Sequence, residues 1–333
     1  MPAETREPLE KYLLTDGDSG GGERALRSRA FALYDPFADR RVFPASVRYC
    51  LNVSAGCSHG CTYCYTRNYI REVDRPRSKA GLERQAGRDL ATMQELALPP
   101  VPLHISDSTD PFQEPLETTT RTTRSILELA GENRGRFSQI TVLTKNLALA
   151  ARPGYVSGLR DLQPCQVEVS LTFADDEGRA LYEPCAPSVE SRLNGIRALR
   201  GAGIPVSLRV DPLFPREPLP CPPWPSPALS DYGIDRTHSL GEIERLVQFA
   251  AEQGCERIIV SELKIVMGCQ KEFRDPFRSL FGAPLGGKPV KRGTAYRLPG
   301  EYIRDRLFPP VEELCRAAGI PMVHCKDNLV STQ

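Results

Sequence analysis

Three cysteines with the spacing of metal ligands, Cys57, Cys61 and Cys64, lie in the segment CSHGCTYCY. Thiolates are soft ligands that bind iron–sulfur clusters or zinc. A structural zinc site takes four protein ligands, whereas three closely spaced cysteines leave one coordination position open for a substrate. The spacing favours an iron–sulfur cluster, with zinc ligation and simple burial of the thiols as alternatives. His59 is interpreted as a spacer held by its geometry rather than as a fourth ligand.

Short apolar and β-branched runs recur along the chain and predict the strands that must position this loop. Six runs qualify, at residues 47–53, 101–105, 140–144, 167–173, 206–210 and 258–261. Segments of helical period lie between them, the clearest being 188–199 and 239–250, where Ser239 and Glu242 form a capping box. Alternating strands and helices predict a parallel sheet, open or curled into a barrel.

Other stretches interrupt this rhythm and predict the domain organisation. The polar start of the chain, with glycines at 20–22, predicts a loose N-terminal extension over residues 1–45. A proline-rich run at 212–227 predicts an ordered loop or lid, because neither a helix nor a central strand can run through it. The predicted catalytic domain spans 46–265. We expect residues 266–333, which include a final helix at 309–318, to shape the substrate site.

Composition excludes several classes of function. The 333 residues include 43 basic and 42 acidic side chains, a net charge of +1, so no global field attracts the protein to nucleic acid or an anionic membrane. No apolar run approaches the roughly 20 residues of a membrane-spanning helix, and the N-terminus lacks a signal peptide's apolar core. We therefore expect a cytoplasmic protein without membrane contact. In that compartment its 11 cysteines serve as ligands, catalytic thiols or core residues.

The sequence also resembles a known family. The cysteine spacing, with an aromatic residue before the third cysteine, resembles the signature of the radical S-adenosylmethionine (SAM) superfamily. Over residues 33–265 the resemblance is to its spore photoproduct lyase-like branch, carried by YDPFADRRVFP, CSHGCTYCYTR, SDSTDPFQEPLE, VLTKN, EPCAPSVESRLNGIRALRGAGI and VSLRVDPLFP. The resemblance implies an α/β fold, a partial (β/α)6 barrel with N- and C-terminal extensions, and a cluster at the C-terminal mouth of its strands.

The resemblance further implies the cofactors and their ligands. The three cysteines would hold a [4Fe–4S] cluster whose open iron chelates SAM. Tyr63 would pack beside the adenine or the cluster, and Lys145 and Ser170 would hold the carboxylate and ribose of SAM. Further candidates for the SAM or substrate shell are Thr109, Asp110 and Arg209. Each of these residues lies in the cysteine loop or at or near the C-terminal end of a predicted strand, where barrel enzymes collect their active sites.

One departure from the family pattern concerns the hydrogen donor. Spore photoproduct lyase carries a hydrogen-donating cysteine in a Ser-Cys-Thr-Ser-Asp context, where this chain has Asp107 in the sequence SDSTD. A carboxylate cannot donate a hydrogen atom, which disfavours thymine-dimer repair. Cys269 and Cys325 are the alternative candidate donors, since both lie in the C-terminal part of the chain. Three other cysteines are interpreted as core residues: Cys165, Cys255 and Cys315.

These features lead to three functional hypotheses. The first is a biosynthetic enzyme, with lyase- or transferase-type chemistry, in which a flavodoxin or ferredoxin reduces the cluster and a 5′-deoxyadenosyl radical abstracts hydrogen. Its substrate would be a small polar molecule, such as a nucleoside or sugar nucleotide. The reaction would be C–C bond formation, rearrangement or epimerisation. Basic residues could meet a phosphate, namely Lys264, Lys271, Lys288, Lys291 and Arg292. The alternatives are repair or modification of nucleic acid, and a nonenzymatic iron–sulfur or zinc regulator.

Overall fold

One eight-stranded sheet organises the residues that the computed structural model describes, which are 8–9, 12, 29–34, 47–219, 227–281, 290–292 and 295–325. The strands of this sheet are β1 (Ala32–Tyr34), β2 (Arg48–Leu51), β5 (Val101–Ile105), β6 (Phe137–Thr144), β7 (Cys165–Ser170), β8 (Val206–Leu213), β9 (Ile258–Glu262) and β13 (Met322–His324). They are hydrogen-bonded in that order. All are parallel except β1, which pairs antiparallel with β2.

Two small sheets are added to this frame. One pairs β3 (Ser54–Ala55) with β4 (Arg77–Ser78). The other contains β10 (Lys264–Val266), β11 (Val290–Arg292) and β12 (Ala295–Arg297), with β12 in the centre.

The helices alternate with the strands of the large sheet. They are α1 (Leu82–Glu95), α2 (Leu116–Thr120), α3 (Thr122–Glu132), α4 (Leu147–Ala150), α5 (Pro153–Asp161), α6 (Asp176–Tyr182), α7 (Val189–Gly201), α8 (Leu240–Glu252), α9 (Lys271–Leu280), α10 (Gly300–Tyr302) and α11 (Pro309–Ala317). The predicted capping box of α8 is confirmed, since Ser239 accepts from the Glu242 amide and Glu242 from the Ser239 amide. Within the described ranges, no helix has the length and apolarity needed to cross a membrane.

The two faces of the large sheet differ in polarity. Alternate residues such as Leu103, Val142 and Val167 are fully buried in a core that also contains helical residues such as Ile196 and Leu246. Most of the intervening residues are polar, and adjacent strands place them in register: Cys50 opposite His104, His104 opposite Thr141, and Thr141 opposite Gln166. The sheet therefore has an apolar face under helices and a polar face, which we call the inner face.

The sheet curves strongly, although it does not close into a barrel. Arg48 lies on β2, while Cys325 follows β13 at the other end of the parallel strands. The two side chains are nevertheless close enough for the Cys325 thiolate to raise the pKa of Arg48. The predicted fold, an α/β partial barrel, is confirmed.

The six predicted strands are present, with one correction. β8 extends through Pro212 to Leu213, so a central strand does enter the proline-rich run. The pairing of β8 with β9 is irregular between Val210 and Leu213. Because Pro212 lies within this irregularity, its missing amide hydrogen interrupts no regular ladder. The rest of the predicted lid falls partly on residues 220–226, outside the described residues.

Part of the predicted loose N-terminal extension belongs to the core. β1 pairs with β2, and Leu9, Tyr12 and Phe31 are fully buried. Tyr12 donates a hydrogen bond to the Phe31 carbonyl (2.9 Å), and the Phe31 amide donates to the Asp89 carboxylate of α1 (3.0 Å). Ordered structure therefore begins before residue 46. The glycine-rich stretch lies outside the described residues, and the domain boundaries remain predictions.

The C-terminal segment packs against the cysteine loop. Gly268, between β10 and α9, lies so close to Arg67 that an added Cβ would be 2.5 Å from the Arg67 carbonyl oxygen. Only glycine allows this approach of two backbones.

The close contact between α7 and α4 gives a test of the packing. A Cβ on Gly195 would lie 2.2 Å from the Leu147 Cβ, whereas one on Gly201, in the same helix, would meet nothing within 4 Å. We expect Gly195→Ala to lower the free energy of unfolding by about 1–3 kcal/mol through overpacking. Gly201→Ala should leave it unchanged or raise it by up to about 1 kcal/mol. Urea unfolding of the two variants measures this, and equal stabilities would contradict the packing.

Candidate active site

The loop that carries the three cysteines is closed at its base by the β3–β4 pair. Gly56 has a φ of +84°, and an added Cβ would lie 2.8 Å from the Val73 carbonyl oxygen. The Cys57 amide donates to the same carbonyl at 2.6 Å. The other side of the loop rests on the end of α6, because the Thr62 amide donates to the Tyr182 carbonyl (3.0 Å).

Asp110 and Gln113, which follow β5, fix the loop to the large sheet. One Asp110 oxygen accepts from the Lys145 amide (2.6 Å) and lies 3.0 Å from His59 Nε2. The other oxygen accepts from the Thr144 hydroxyl at 2.8 Å. Gln113 accepts from the Ser58 amide at 2.7 Å. Burial would raise the pKa of Asp110, but His59 and the amides of Lys145 and Phe112 outweigh it and lower the pKa. The spacer role predicted for His59 agrees with this contact.

The three thiols lie close together and are largely withdrawn from solvent. Cys61 is buried, and Cys57 and Cys64 are partly exposed. Burial and the Asp110 carboxylate raise the pKa of Cys57 to about 12. Burial also raises the pKa of Cys61, and thiolates at Cys57 and Cys64 would raise it further. Metal binding would therefore have to displace protons from these thiols. Among the described residues, no three or more His, Cys, Asp or Glu side chains are arranged to hold a single metal ion.

A buried ionic cluster lies beside Cys61, between the ends of β6 and β7. Lys145 Nζ is 2.9 Å from Glu183 Oε1 and donates to the Ser170 hydroxyl at 2.7 Å. Arg192 Nη2 is 2.6 Å from the second Glu183 oxygen. Tyr63 donates to Glu183 as well. Burial would raise the pKa of Glu183, but Arg192 and Lys145 outweigh it and lower the pKa. The structure thus brings the predicted residues Tyr63, Lys145 and Ser170 together.

A second polar cluster lies on the inner face around Asp107. Its carboxylate accepts from Arg48 Nη2 (2.9 Å) and from the Cys50 thiol (2.7 Å), and lies 3.1 Å from His104 Nδ1. The Asp107 carbonyl accepts from the Tyr65 hydroxyl at 2.9 Å. Burial would raise the pKa of Asp107, but Arg48 and His104 outweigh it and lower the pKa. Asp107 is therefore an ionised, firmly held carboxylate.

A third cluster faces the second across the inner face. Arg209 Nη1 is 2.5 Å from Glu168, and Arg209 Nη2 is 2.5 Å from Asp211. Arg209 also donates to the Cys325 sulfur at 2.9 Å. Cys325, a predicted hydrogen donor, thus lies at the inner face. Cys269 does not join this cluster: it is buried after β10, close enough to the cysteine loop for a Cys64 thiolate to raise its pKa.

A comparison with protein families decides which class this arrangement belongs to. Residues 51–219, just over half of the chain, match the family model described as the Radical SAM superfamily. The chain is a member of the radical SAM superfamily. This radical SAM chain therefore uses a [4Fe–4S] cluster and SAM, as the sequence predicted.

Relatives of this radical SAM chain include uncharacterized proteins. Rv2578c of Mycobacterium tuberculosis is 27% identical over 175 residues, 51% of this chain and 50% of the relative. MJ0683 of Methanocaldococcus jannaschii is 25% identical over 174 residues, 50% of this chain and 61% of the relative. The matched region thus spans about half to three fifths of these relatives.

Solved structures of low sequence identity share the fold. A spore photoproduct lyase mutant has a TM-score of 0.60 at 14% identity, covering 96% of this chain and 94% of that one. Streptococcus suis SuiB bound to S-adenosylmethionine has a TM-score of 0.52 at 13% identity, covering 83% and 49%. At these identities the likeness concerns the fold alone.

The residues of this radical SAM chain fit both cofactors. The three thiols of the cysteine loop fit a cluster with one open iron, since no fourth ligand joins them in the described part of the chain. At the end of β5, the Ser106 and Thr109 hydroxyls are buried and have no hydrogen-bond partner within the described structure. Such unpaired donors fit a polar ligand, because leaving them unsatisfied costs about 1–3 kcal/mol each. Thr109, a predicted candidate, thus has an unpaired hydroxyl, whereas Asp110 is engaged by the protein itself.

Sequence reasoning missed several residues that build the site. Glu183 and Arg192 lie in a segment whose main signal is its resemblance to the family. Its sequence pattern does not indicate that a carboxylate is buried there. Cys50 lies in the middle of a strand. The alternation of polar and apolar residues there shows which face of the sheet it occupies but not which residues it contacts. His104 is similarly placed.

The buried Glu183 should contribute strongly to stability. We expect Glu183→Gln to lower the free energy of unfolding by about 3–5 kcal/mol at pH 7, because Lys145 and Arg192 lose their buried carboxylate. The pKa of Glu183 is lower in the folded protein than its ordinary 4.5, so this contribution is present above that pH and fades below it. Urea unfolding should show a smaller deficit at about pH 3.5.

A matched control for this experiment is Glu95→Gln, since Glu95 is an exposed residue at the end of α1. Its effect should stay within about 0.5 kcal/mol. A Glu183→Gln deficit that does not change with pH would contradict the ionised state.

Proposed function

We propose that this chain is an enzyme that cleaves SAM by one-electron reduction and acts on a small, hydroxylated, uncharged part of a nucleoside or sugar nucleotide. When bound, the [4Fe–4S] cluster and SAM supply a radical that abstracts hydrogen from an unactivated C–H bond. The electron donor would be of the flavodoxin or ferredoxin type.

The ionic cluster beside Cys61 supports a role in holding SAM. Lys145 and Arg192 carry two positive charges against the single negative charge of Glu183. A buried region with one excess positive charge favours an anionic group, since an unpaired buried charge is costly. The carboxylate of SAM has the charge that this region needs. The Ser170 hydroxyl accepts from Lys145 and keeps its own hydrogen, which would bond a ribose hydroxyl.

The inner face supports an uncharged substrate group, and this observation carries the proposal. Arg48 and Arg209 oppose three carboxylates: Asp107, Glu168 and Asp211. Among these described groups the carboxylates outnumber the guanidinium groups by one, which disfavours phosphate on this face. Ionic pairs of this kind offer hydrogen-bond donors and acceptors side by side, which suits ring hydroxyl groups.

The phosphate of a sugar nucleotide would have to lie outside this face. Of the five basic residues considered for phosphate, Lys264 donates to the Ser261 hydroxyl (3.3 Å), near the end of β9. Lys288 lies outside the described residues, and the side chains of Lys291 and Arg292 are not described.

The cysteine loop gives the first test. After anaerobic reconstitution with iron and sulfide, dithionite and SAM should yield 5′-deoxyadenosine, measured by mass spectrometry. We expect Cys61→Ala to reduce the yield to background, because the cluster loses a ligand. Cys315→Ala, which removes a thiol buried in α11, should retain the yield. Uptake of zinc without 5′-deoxyadenosine from the wild type would favour the metal-binding regulator instead.

A substrate panel gives the second test. We expect nucleosides or sugar nucleotides to accelerate 5′-deoxyadenosine formation, and short oligonucleotides to have no effect. The reason is that the inner face excludes phosphate and the net charge of +1 supplies little attraction for nucleic acid. Acceleration by an oligonucleotide that weakens as salt increases would instead support nucleic acid repair or modification.

A further inference from the structure

The segment that follows the three cysteines, residues 67–79, folds back against the cysteine loop. Its Val73 carbonyl accepts a hydrogen bond from the Cys57 amide at 2.6 Å. Val73 is buried, whereas Glu72 and Asp74, on either side of it, are exposed. The segment is therefore a single layer of chain between this part of the cysteine loop and solvent.

This segment is basic, unlike the rest of the chain. It contains five basic and two acidic side chains, a net charge of +3, whereas the whole chain has a net charge of +1. The residues outside the segment therefore carry a net charge of −2. The positive charge of this protein is thus concentrated beside the loop that carries the three cysteines.

Ion pairs within the segment balance only part of its charge. Asp74 pairs with Arg67 at 2.7 Å. Glu72 is shared by Arg75 and Arg77, at 3.0 Å and 3.2 Å. Two carboxylates therefore meet three guanidinium groups, and one positive charge is left over.

Two further cations of the segment have no carboxylate partner. Arg71 and Lys79 are both exposed, and neither forms an ion pair within the described part of the chain. The segment therefore presents three unbalanced positive charges at the surface.

An exposed aromatic ring belongs to the same segment. Tyr69 is 57% exposed, and its hydroxyl lies 2.8 Å from the Ser108 hydroxyl. A ring held in this way loses little conformational freedom when a partner covers it. Tyrosine and arginine are enriched in protein–protein interfaces, so the segment has the composition of a contact surface.

We propose that residues 67–79 are the docking surface for an acidic electron-carrier protein that reduces the cluster. This inference rests on the proposed function, in which the carrier is of the flavodoxin or ferredoxin type. Docking here places the carrier against the single layer of chain that covers the cysteine loop, and electron transfer slows steeply with distance. One electron leaves the reduced carrier and enters the cluster, so the carrier is oxidised and the cluster reduced by one electron.

Charge complementarity selects this class of partner. Three unbalanced positive charges attract a strongly negative protein and steer its approach, while the net charge of −2 elsewhere disfavours docking at other faces. Complexes between redox proteins are among the smallest protein–protein interfaces. One short segment with a central aromatic ring is therefore large enough to form such a contact.

The first readout needs neither cluster nor SAM. Isothermal titration calorimetry should show that a strongly acidic flavodoxin binds the protein, and that NaCl weakens this binding, because surface charges are screened by salt. In the double variant Arg71→Glu/Lys79→Glu the dissociation constant should rise by about tenfold or more, since both charges are reversed. The milder Arg71→Gln/Lys79→Gln should change the constant in the same direction by a smaller factor.

A matched control carries the same change of net charge elsewhere. Arg134, before β6, and Arg245, in α8, are exposed residues outside the segment. In Arg134→Glu/Arg245→Glu the dissociation constant should stay within about twofold of the wild type. A wild type that does not bind flavodoxin, or equal constants for the two charge-reversed variants, overturns the proposal. Tighter binding of a short oligonucleotide through Arg71 and Lys79 also overturns it, because the segment is then a nucleic-acid surface.

The second readout compares two reductants of the reconstituted protein. Dithionite is a small molecule that needs no docking surface, so Arg71→Glu/Lys79→Glu should form 5′-deoxyadenosine with it as fast as the wild type does. With limiting prereduced flavodoxin the same variant should be slower by about tenfold. Equal rates of variant and wild type with flavodoxin contradict the docking surface. A wild type that forms no 5′-deoxyadenosine with either reductant contradicts the proposed function instead, and the two failures are thereby distinguished.

Discussion

The carboxylate of Asp110 is the point on which the geometry of the site depends. The cysteine loop contains little regular structure, so directional contacts must fix it. Asp110 contacts His59 within the loop and accepts from Thr144 and the Lys145 amide at the end of β6. Charge-assisted hydrogen bonds of this kind are short and directional. One buried carboxylate therefore fixes both the cysteine loop and the backbone from which the Lys145 side chain extends.

From this fixed point the site divides into two regions of opposite charge. Near Cys61, Lys145 and Arg192 outnumber Glu183, whereas on the inner face the carboxylates outnumber the arginines. Under the proposed function, the first region would suit the carboxylate of SAM and the second would disfavour phosphate. Because Tyr65 bonds to the backbone of Asp107, the loop that carries the three cysteines contacts the inner face directly.

Much of the fold and part of the site could be predicted from the sequence. The strands coincide with strong apolar runs. Residues such as Lys145 and Ser170 lie at or near the ends of such runs, so a parallel sheet brings them to the same edge. Glu183 could not be predicted, because its ionisation depends on Lys145 and Arg192, which reach it only in the folded chain. The contact of Cys50 with Asp107 was equally hidden, since the local pattern of β2 does not contain its partner, which follows β5. Pro212 was misjudged because the irregular pairing that accommodates it involves another strand.

The close approach of Gly268 to Arg67 has a consequence for the order of assembly. The cysteine loop lies in the first quarter of the chain, but its final packing surface includes backbone that is synthesised some 200 residues later. A nascent chain could bind iron through the cysteines before that surface exists, but it could not yet enclose the loop on this side. A chain truncated upstream of β10 would keep the three cysteines of the loop but lack the backbone that packs against Arg67, so we expect the loop to be less enclosed on this side.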